Sequence, residues 1–182
     1  MNKIKFGTDG WRAIIAEEYN FENLSRVTLG TLKWLKNRKS KPSVVIGYDC
    51  RFGGEKFSDL CARILSSNNV DVILSKSFAA TPVVSYAVKK LKCDIGIVIT
   101  ASHNPFYYSG FKLKGHYGGP LTQKDILEVE KLIPEKSNLN YKNLNNENIK
   151  IKDLDKIYLD RIENEFDFKK IKKNNIKIAY NG

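Results

Sequence analysis

Charge-free residues fill positions 95 to 99, Ile95-Gly96-Ile97-Val98-Ile99, with polar neighbours on both sides. A run this rich in β-branched side chains predicts a strand covered on both faces, as in a parallel or mixed sheet with helices outside. Runs of the same kind predict strands over 43–48 and 70–74. Elsewhere the apolar period changes. Leu24, Val27, Thr28, Thr31, Leu32 and Leu35 recur at helical spacing and predict a helix over 21–36 with one buried stripe. Phe57, Leu60, Cys61, Ile64 and Leu65 do the same over 55–67. Thr81 is expected to cap a third helix that runs to Leu91, with Pro82 at its first position, where the amide it lacks would go unused. The segment 110–114 predicts a short returning edge strand in the antiparallel sense, and 122–133 a further helix stopped by Pro134.

Alternating strands and helices with short connections predict an α/β protein. The expected form is a three-layer α/β/α domain over residues 1–133, with a mixed, mostly parallel sheet of about four strands. Residues 134–152 are rich in asparagine and lysine and read as a solvated linker. A helical stripe returns through Leu154, Ile157, Tyr158, Arg161, Ile162 and Phe166, and 176–180 reads as one strand. A single strand cannot bury two faces by itself, so residues 153–182 are expected to open a second, truncated domain.

Composition narrows the class. With 42% apolar residues among 182, the chain can build a sizeable core. No apolar stretch approaches the roughly 18 residues of a membrane span, and the N-terminus lacks the apolar centre of a signal peptide. A cytoplasmic location and no membrane partner are therefore expected. Three cysteines without a C-x-x-C pair predict reduced thiols, with Cys50 as small buried filler. The net charge of +11 raises nucleic-acid binding, but the lysines are scattered among acidic residues, so no nucleic-acid partner is expected. Positive potential also suits a phosphorylated substrate, whose local concentration it would raise.

Directly after the 95–99 strand comes Thr100-Ala101-Ser102-His103-Asn104-Pro105. Ligands gather beyond the carboxyl ends of strands in open α/β sheets, which puts the Ser102 hydroxyl where a substrate would bind. A serine can carry a phosphoryl group if neighbouring donors and cations offset its charge. His103 supplies a ring nitrogen, Asn104 an amide, and Pro105 keeps the residue before it out of helical geometry. On these residues alone, a plain Asn-Pro turn stays open.

The same six residues resemble the active-site signature of the α-D-phosphohexomutases, the family of phosphoglucomutase and phosphomannomutase. Phe6-Gly7-Thr8-Asp9-Gly10-Trp11-Arg12, Gly47-Tyr48-Asp49-Cys50-Arg51 and Gly110-Phe111-Lys112-Leu113-Lys114-Gly115 resemble other family segments, in the same order. Ser109 stands where the family carries asparagine. The resemblance implies a multi-domain enzyme, with this chain as its N-terminal domain. That enzyme interconverts hexose 1-phosphate and hexose 6-phosphate, of glucose or mannose, through a phosphoserine and a hexose 1,6-bisphosphate intermediate. It implies Ser102 as phosphoryl carrier, Lys112 as an aid to proton transfer or charge stabilisation, and Arg12 as a phosphate grip beside Thr8 and His103. Asp49 and Arg51 are expected to pair and brace the cleft. Mg2+ is implied as cofactor, yet the family's D-x-D-x-D loop is absent here. The nearest stretch, Asp153-Leu154-Asp155, reads as a helix cap, which leaves the phosphate on Ser102 as the assignable metal ligand. The implied partners are a phosphorylated hexose and the remaining domains, and the chain by itself is expected to be inactive as a mutase. A non-catalytic phosphate-binding or interaction module is the alternative.

Overall fold

The five residues of β4 (Ile95–Ile99) are all buried, and the molecule is built outward from them. Each Ile or Val hidden in this way contributes about 1.5–3 kcal/mol relative to leaving it exposed. In the computed structural model, which describes residues 3–174 and 177–180, β4 lies inside a six-stranded sheet. The strands are β1 (Trp11–Ile14), β2 (Ser43–Tyr48), β3 (Asp71–Ser75), β4, β5 (Tyr108–Gly115) and β6 (Ile149–Lys152). Their order across the sheet is β1-β5-β4-β2-β3-β6. β2 runs parallel to both β3 and β4, β6 parallel to β3, and β5 antiparallel to β4 and β1.

Helices cover both faces, so the α/β three-layer class expected from the sequence is found. On one side α1 (Phe21–Lys36), α2 (Gly54–Ser66) and α4 (Gln123–Leu132) enclose the main core with Leu24, Val27, Leu60, Ile64, Ile126 and Val129. Gly30 lets α1 approach α4 closely, because a Cβ there would lie 2.8 Å from Ile133 Cγ1. On the other side α3 (Thr81–Lys90) and α5 (Leu154–Glu165) bury Val84, Ala87, Val88 and Leu154 against β2 and β4. A short α6 (Phe168–Lys173) follows. The caps come from side chains where sequence supplies them: Asn20, Thr122 and Asp153 accept from the amides of Asn23, Asp125 and Lys156.

The sheet has more strands than expected, and its edges explain why. β1 has four residues inside a polar motif, and β6 reads Ile-Lys-Ile-Lys inside an asparagine-rich stretch, so neither carries a buried-strand pattern. The returning strand 110–114 is longer than expected and is not an edge, since β1 covers it. Thr81 is the first residue of α3 and not its cap; Ala80 takes the extended cap geometry, and Pro82 falls second. Cys50 is exposed, not buried filler: its neighbours Asp49 and Arg51 pair with each other and leave the side chain between them in solvent. For the strand expected over 176–180, Ile176 lies outside the described residues and Lys177–Tyr180 form no regular element.

Residues 134–148 are not loose. Ser137 donates to Glu22 through its amide (2.7 Å) and hydroxyl (2.6 Å), Tyr141 adds its phenol at 3.3 Å, and Arg26 Nε donates to Pro134 O at 2.8 Å. Further on, Arg63 donates to the carbonyls of Tyr141 and Leu144. Burial acts to raise the Glu22 carboxyl, but the hydrogen bonds from Ser137 and Tyr141 and the charge of Arg26 outweigh it and hold the group below its ordinary 4.5. A carboxyl lowered by folding stabilises fully above that ordinary value and progressively less as pH falls through its folded value. Hydrogen exchange at the Ser137 amide, corrected for its intrinsic pH dependence, is therefore expected to accelerate below pH 4.5. In Glu22→Gln this acid-dependent step should be missing; a step that persists removes Glu22 as its cause.

Candidate functional site

Two loops meet at the carboxyl end of β4, and a third, beside β5, is tied to them through Arg12. The first begins at Thr100, which is buried, and carries Ser102 out into solvent. Ser102 has a φ of 58°, the left-handed region that costs a residue with a Cβ about 1–2 kcal/mol. Its amide donates to Thr100 Oγ1 at 3.0 Å, while the Ser102 hydroxyl is free among the described hydrogen bonds.

The strained turn is held by one guanidinium from the second loop, which follows β2. Arg51 Nη2 donates to the carbonyls of Ser102 and Asn104, both at 2.7 Å. Nη1 donates to Pro105 O at 2.7 Å and Tyr108 O at 3.1 Å. Nε faces Asp49 Oδ2 at 3.3 Å, so the expected Asp49–Arg51 pair is present. The fork is used up on carbonyls, which makes Arg51 a clamp on the serine loop and not a phosphate ligand. Asp49 also joins its own loop to β4, its amide donating to Ile99 O at 3.1 Å.

The third loop, residues 7–10, closes through the Gly7–Gly10 bridge. Gly10 has φ +103°, and a Cβ there would sit 2.7 Å from Phe111 O, so only glycine fits. Asp9 projects from this turn to Lys112 Nζ at 2.6 Å and to Lys114 Nζ at 3.5 Å. Burial works to raise the Asp9 carboxyl, but hydrogen bonding and charge from Lys112 and Lys114 outweigh it and keep the group below the usual carboxylate range. Arg12, on β1, donates through Nη1 to Asn104 Oδ1 at 2.8 Å and so ties the third loop's strand to the first loop.

A concavity of about 230 Å³ opens here, lined by Lys5, Gly7, Thr8, Asp9, Gly10 and Arg12. Of the residues singled out in the sequence, Thr8 and Arg12 line it, and Lys112 stands behind Asp9 as a buried strand residue. Ser102 and His103 lie outside it, exposed on the adjoining loop. His116 is exposed as well. Ser109 points away from the cleft: two positions from the core residue Phe111, it lies on the same face of β5, and its Oγ is buried without a hydrogen-bond partner among the described residues. Lys114 is not among the residues given a role from the sequence, although its spacing of two from Lys112 puts both on one face of a strand, where paired buried lysines call for an acid.

The described residues contain no group of three or more His, Cys, Asp or Glu able to hold a metal ion. Asp9 and Asp49, the acids of the motif loops, are each engaged by basic side chains. The donor set therefore does not fit Mg2+ without further ligands. Among the described residues no helix is long and apolar enough to cross a membrane.

Comparison with known proteins gives consistent results. The family model "Phosphoglucomutase/phosphomannomutase, alpha/beta/alpha domain I" matches residues 3–140. A phosphoglucomutase of Staphylococcus haemolyticus is 37% identical over 134 residues, covering 72% of this chain and 24% of that protein. One from Staphylococcus saprophyticus is 37% identical over 121 residues, covering 65% of this chain and 22% of its own. Among solved structures, a Thermus thermophilus protein assigned as a phosphomannomutase superposes with TM-score 0.85 at 34% identity, over 92% of this chain and 37% of that one. The phosphoglucomutase parafusin from Paramecium shares the fold with TM-score 0.76 at 19% identity, over 91% of this chain and 35% of its own. The chain thus spans about a quarter of the length of the curated relatives it matches.

Proposed function

Because the chain belongs to the phosphoglucomutase/phosphomannomutase family, matching its α/β/α domain I, we propose that Ser102 is the phosphoryl carrier of a phosphohexomutase acting on glucose or mannose phosphates. One observation carries this reading: Ser102 stands exposed at the end of the central strand in a left-handed turn, whose carbonyls Arg51 grips at 2.7–3.1 Å. Strain held in place by surrounding structure marks functional loops.

In the proposed half-reaction a sugar hydroxyl attacks the phosphorus of phosphoserine 102. The new bond joins sugar oxygen to phosphorus, the bond to Ser102 Oγ breaks, and the hydroxyl proton ends on Oγ. The reverse step, on a sugar bisphosphate turned end for end, restores the phosphoserine. Catalysis of this kind is chiefly alignment and charge stabilisation. Arg12 and Thr8 supply donors for the phosphate that is not transferred, and exposed His103 flanks the carrier. Lys112 offers an ammonium to the oxygen being phosphorylated once it leaves Asp9. A divalent ion such as Mg2+ would add charge neutralisation when bound. Its carboxylate ligands have to come from residues other than those described here, and from this chain only the Ser102 phosphate would join them. The remaining domains are accordingly proposed as partners, and hexose 1,6-bisphosphate as activator.

Incubation of the chain with glucose 1,6-bisphosphate, followed by peptide mass spectrometry, tests the reading. One phosphoryl group on Ser102 is the expected result; an unmodified Ser102 after prolonged incubation would refute the carrier role. In a coupled mutase assay the 182-residue chain is expected to give no turnover, since the walls and metal ligands of a full site are not gathered here.

A further inference from the structure

Asp9 stands between two ammonium groups that are almost wholly buried. The side chains of Lys112 and Lys114 are 5% and 6% exposed, against 35% for Asp9. Buried charges are ordinarily matched by opposite ones. Here two cations meet one carboxylate, so the cluster keeps one positive charge that nothing in it cancels.

The place for the second lysine is built into the sheet. Lys114 pairs in register with Gly96 on β4, and a Cβ at Gly96 would lie 3.3 Å from Lys114 Cβ and 2.5 Å from Val88 Cγ2. The missing side chain of Gly96 makes room for the stem of Lys114 beneath α3, and the stem carries its ammonium to Asp9.

The electrostatic result falls on the concavity that Asp9 shares with Lys5, Thr8 and Arg12. A bare carboxylate in that wall would repel a phosphate. Asp9 with Lys112 alone would be a neutral pair, turning negative whenever Lys112 swung away. With Lys114 present, the cluster passes from one positive charge to none and never becomes negative. Resting on the carrier reading above, we propose that Lys114 is a positioning residue of the phosphate site. It holds and offsets Asp9, so that Lys112 can leave the carboxylate for an incoming phosphate or hydroxyl without the wall turning against the anion.

A binding cycle with inorganic phosphate tests this, read by amide NMR titration of the 182-residue chain. Lys114→Met is expected to weaken phosphate binding about tenfold, the order expected for deleting one unit charge within several ångströms of a surface ligand. Lys114→Arg should stay close to wild type. Adding Asp9→Asn to Lys114→Met should restore most of the lost affinity, because the charge needing compensation is gone; a purely structural lysine would show no such rescue. Lys114→Gln serves as the second variant if Lys114→Met fails to give a folded spectrum. Unchanged affinity in the folded lysine variant, absence of rescue by Asp9→Asn, or no saturable phosphate binding by wild type each overturns the proposal. Phosphoryl uptake on Ser102 is measured separately: uptake with Lys114-independent binding refutes only this inference, and Lys114-dependent binding with an inert Ser102 refutes only the carrier reading.

Discussion

Ser102→Ala is expected to abolish phosphoryl uptake from glucose 1,6-bisphosphate while leaving thermal unfolding almost unchanged. The substitution removes one exposed oxygen that has no partner among the described hydrogen bonds. Exposed changes of this sort shift stability by roughly 0.5 kcal/mol or less. Ser102→Gly sharpens the point. With φ at 58°, glycine relieves the left-handed cost, so that variant should be more stable by up to about 1 kcal/mol and equally inert. A serine retained for packing would lose stability in both variants. Residual phosphorylation at this position's peptide in Ser102→Ala would place the acceptor elsewhere in the loop.

Arg51→Met should have the largest effect on structure. It deletes hydrogen bonds from one guanidinium to the carbonyls of Ser102, Asn104, Pro105 and Tyr108, together with the ion pair to Asp49. Bonds to a charged donor contribute about 1.5–3 kcal/mol each, but the freed carbonyls here can turn to water. A net loss of about 2–4 kcal/mol in urea unfolding is expected, with faster hydrogen exchange through residues 101–108. Phosphoryl uptake should fall about a hundredfold, since a carrier displaced by an ångström loses its alignment. Arg51→Lys should recover little, because a point charge cannot span several carbonyls on two sides. Wild-type exchange rates across the loop in Arg51→Met would show that other contacts set its conformation.

Much of this fold can be read from the chain because burial on both faces leaves a strong pattern. β4 needed no more than five uncharged residues between polar ones, and α1 no more than its stripe from Leu24 to Leu35. Legibility failed where pairing is non-local or one-sided. β6 alternates isoleucine with lysine and becomes a strand only because β3 offers it an open edge. β1 is recognisable only beside β5. In the site, the loop sequence around Ser102 and the Asp49–Arg51 pair were legible from local order. The reach of Arg51 to four carbonyls beyond residue 100 was not, because no spacing rule brings residues so far apart together. Nor was the sharing of Asp9 by Lys112 and Lys114, which depends on the glycine opposite Lys114.

The placement of β1 beside β5 has a consequence for how the molecule comes into being. Asp9 and Lys112 are 103 positions apart, and Arg12 and Asn104 are 92 apart. Contacts of such high order form slowly, after local helices have already coiled. A nascent polypeptide that has not yet delivered β5 can collapse around α1 and α2 before the Asp9–Lys112 and Arg12–Asn104 contacts exist. Under the phosphate site proposed above, affinity for phosphate would report completed assembly, where a helical circular dichroism signal would not.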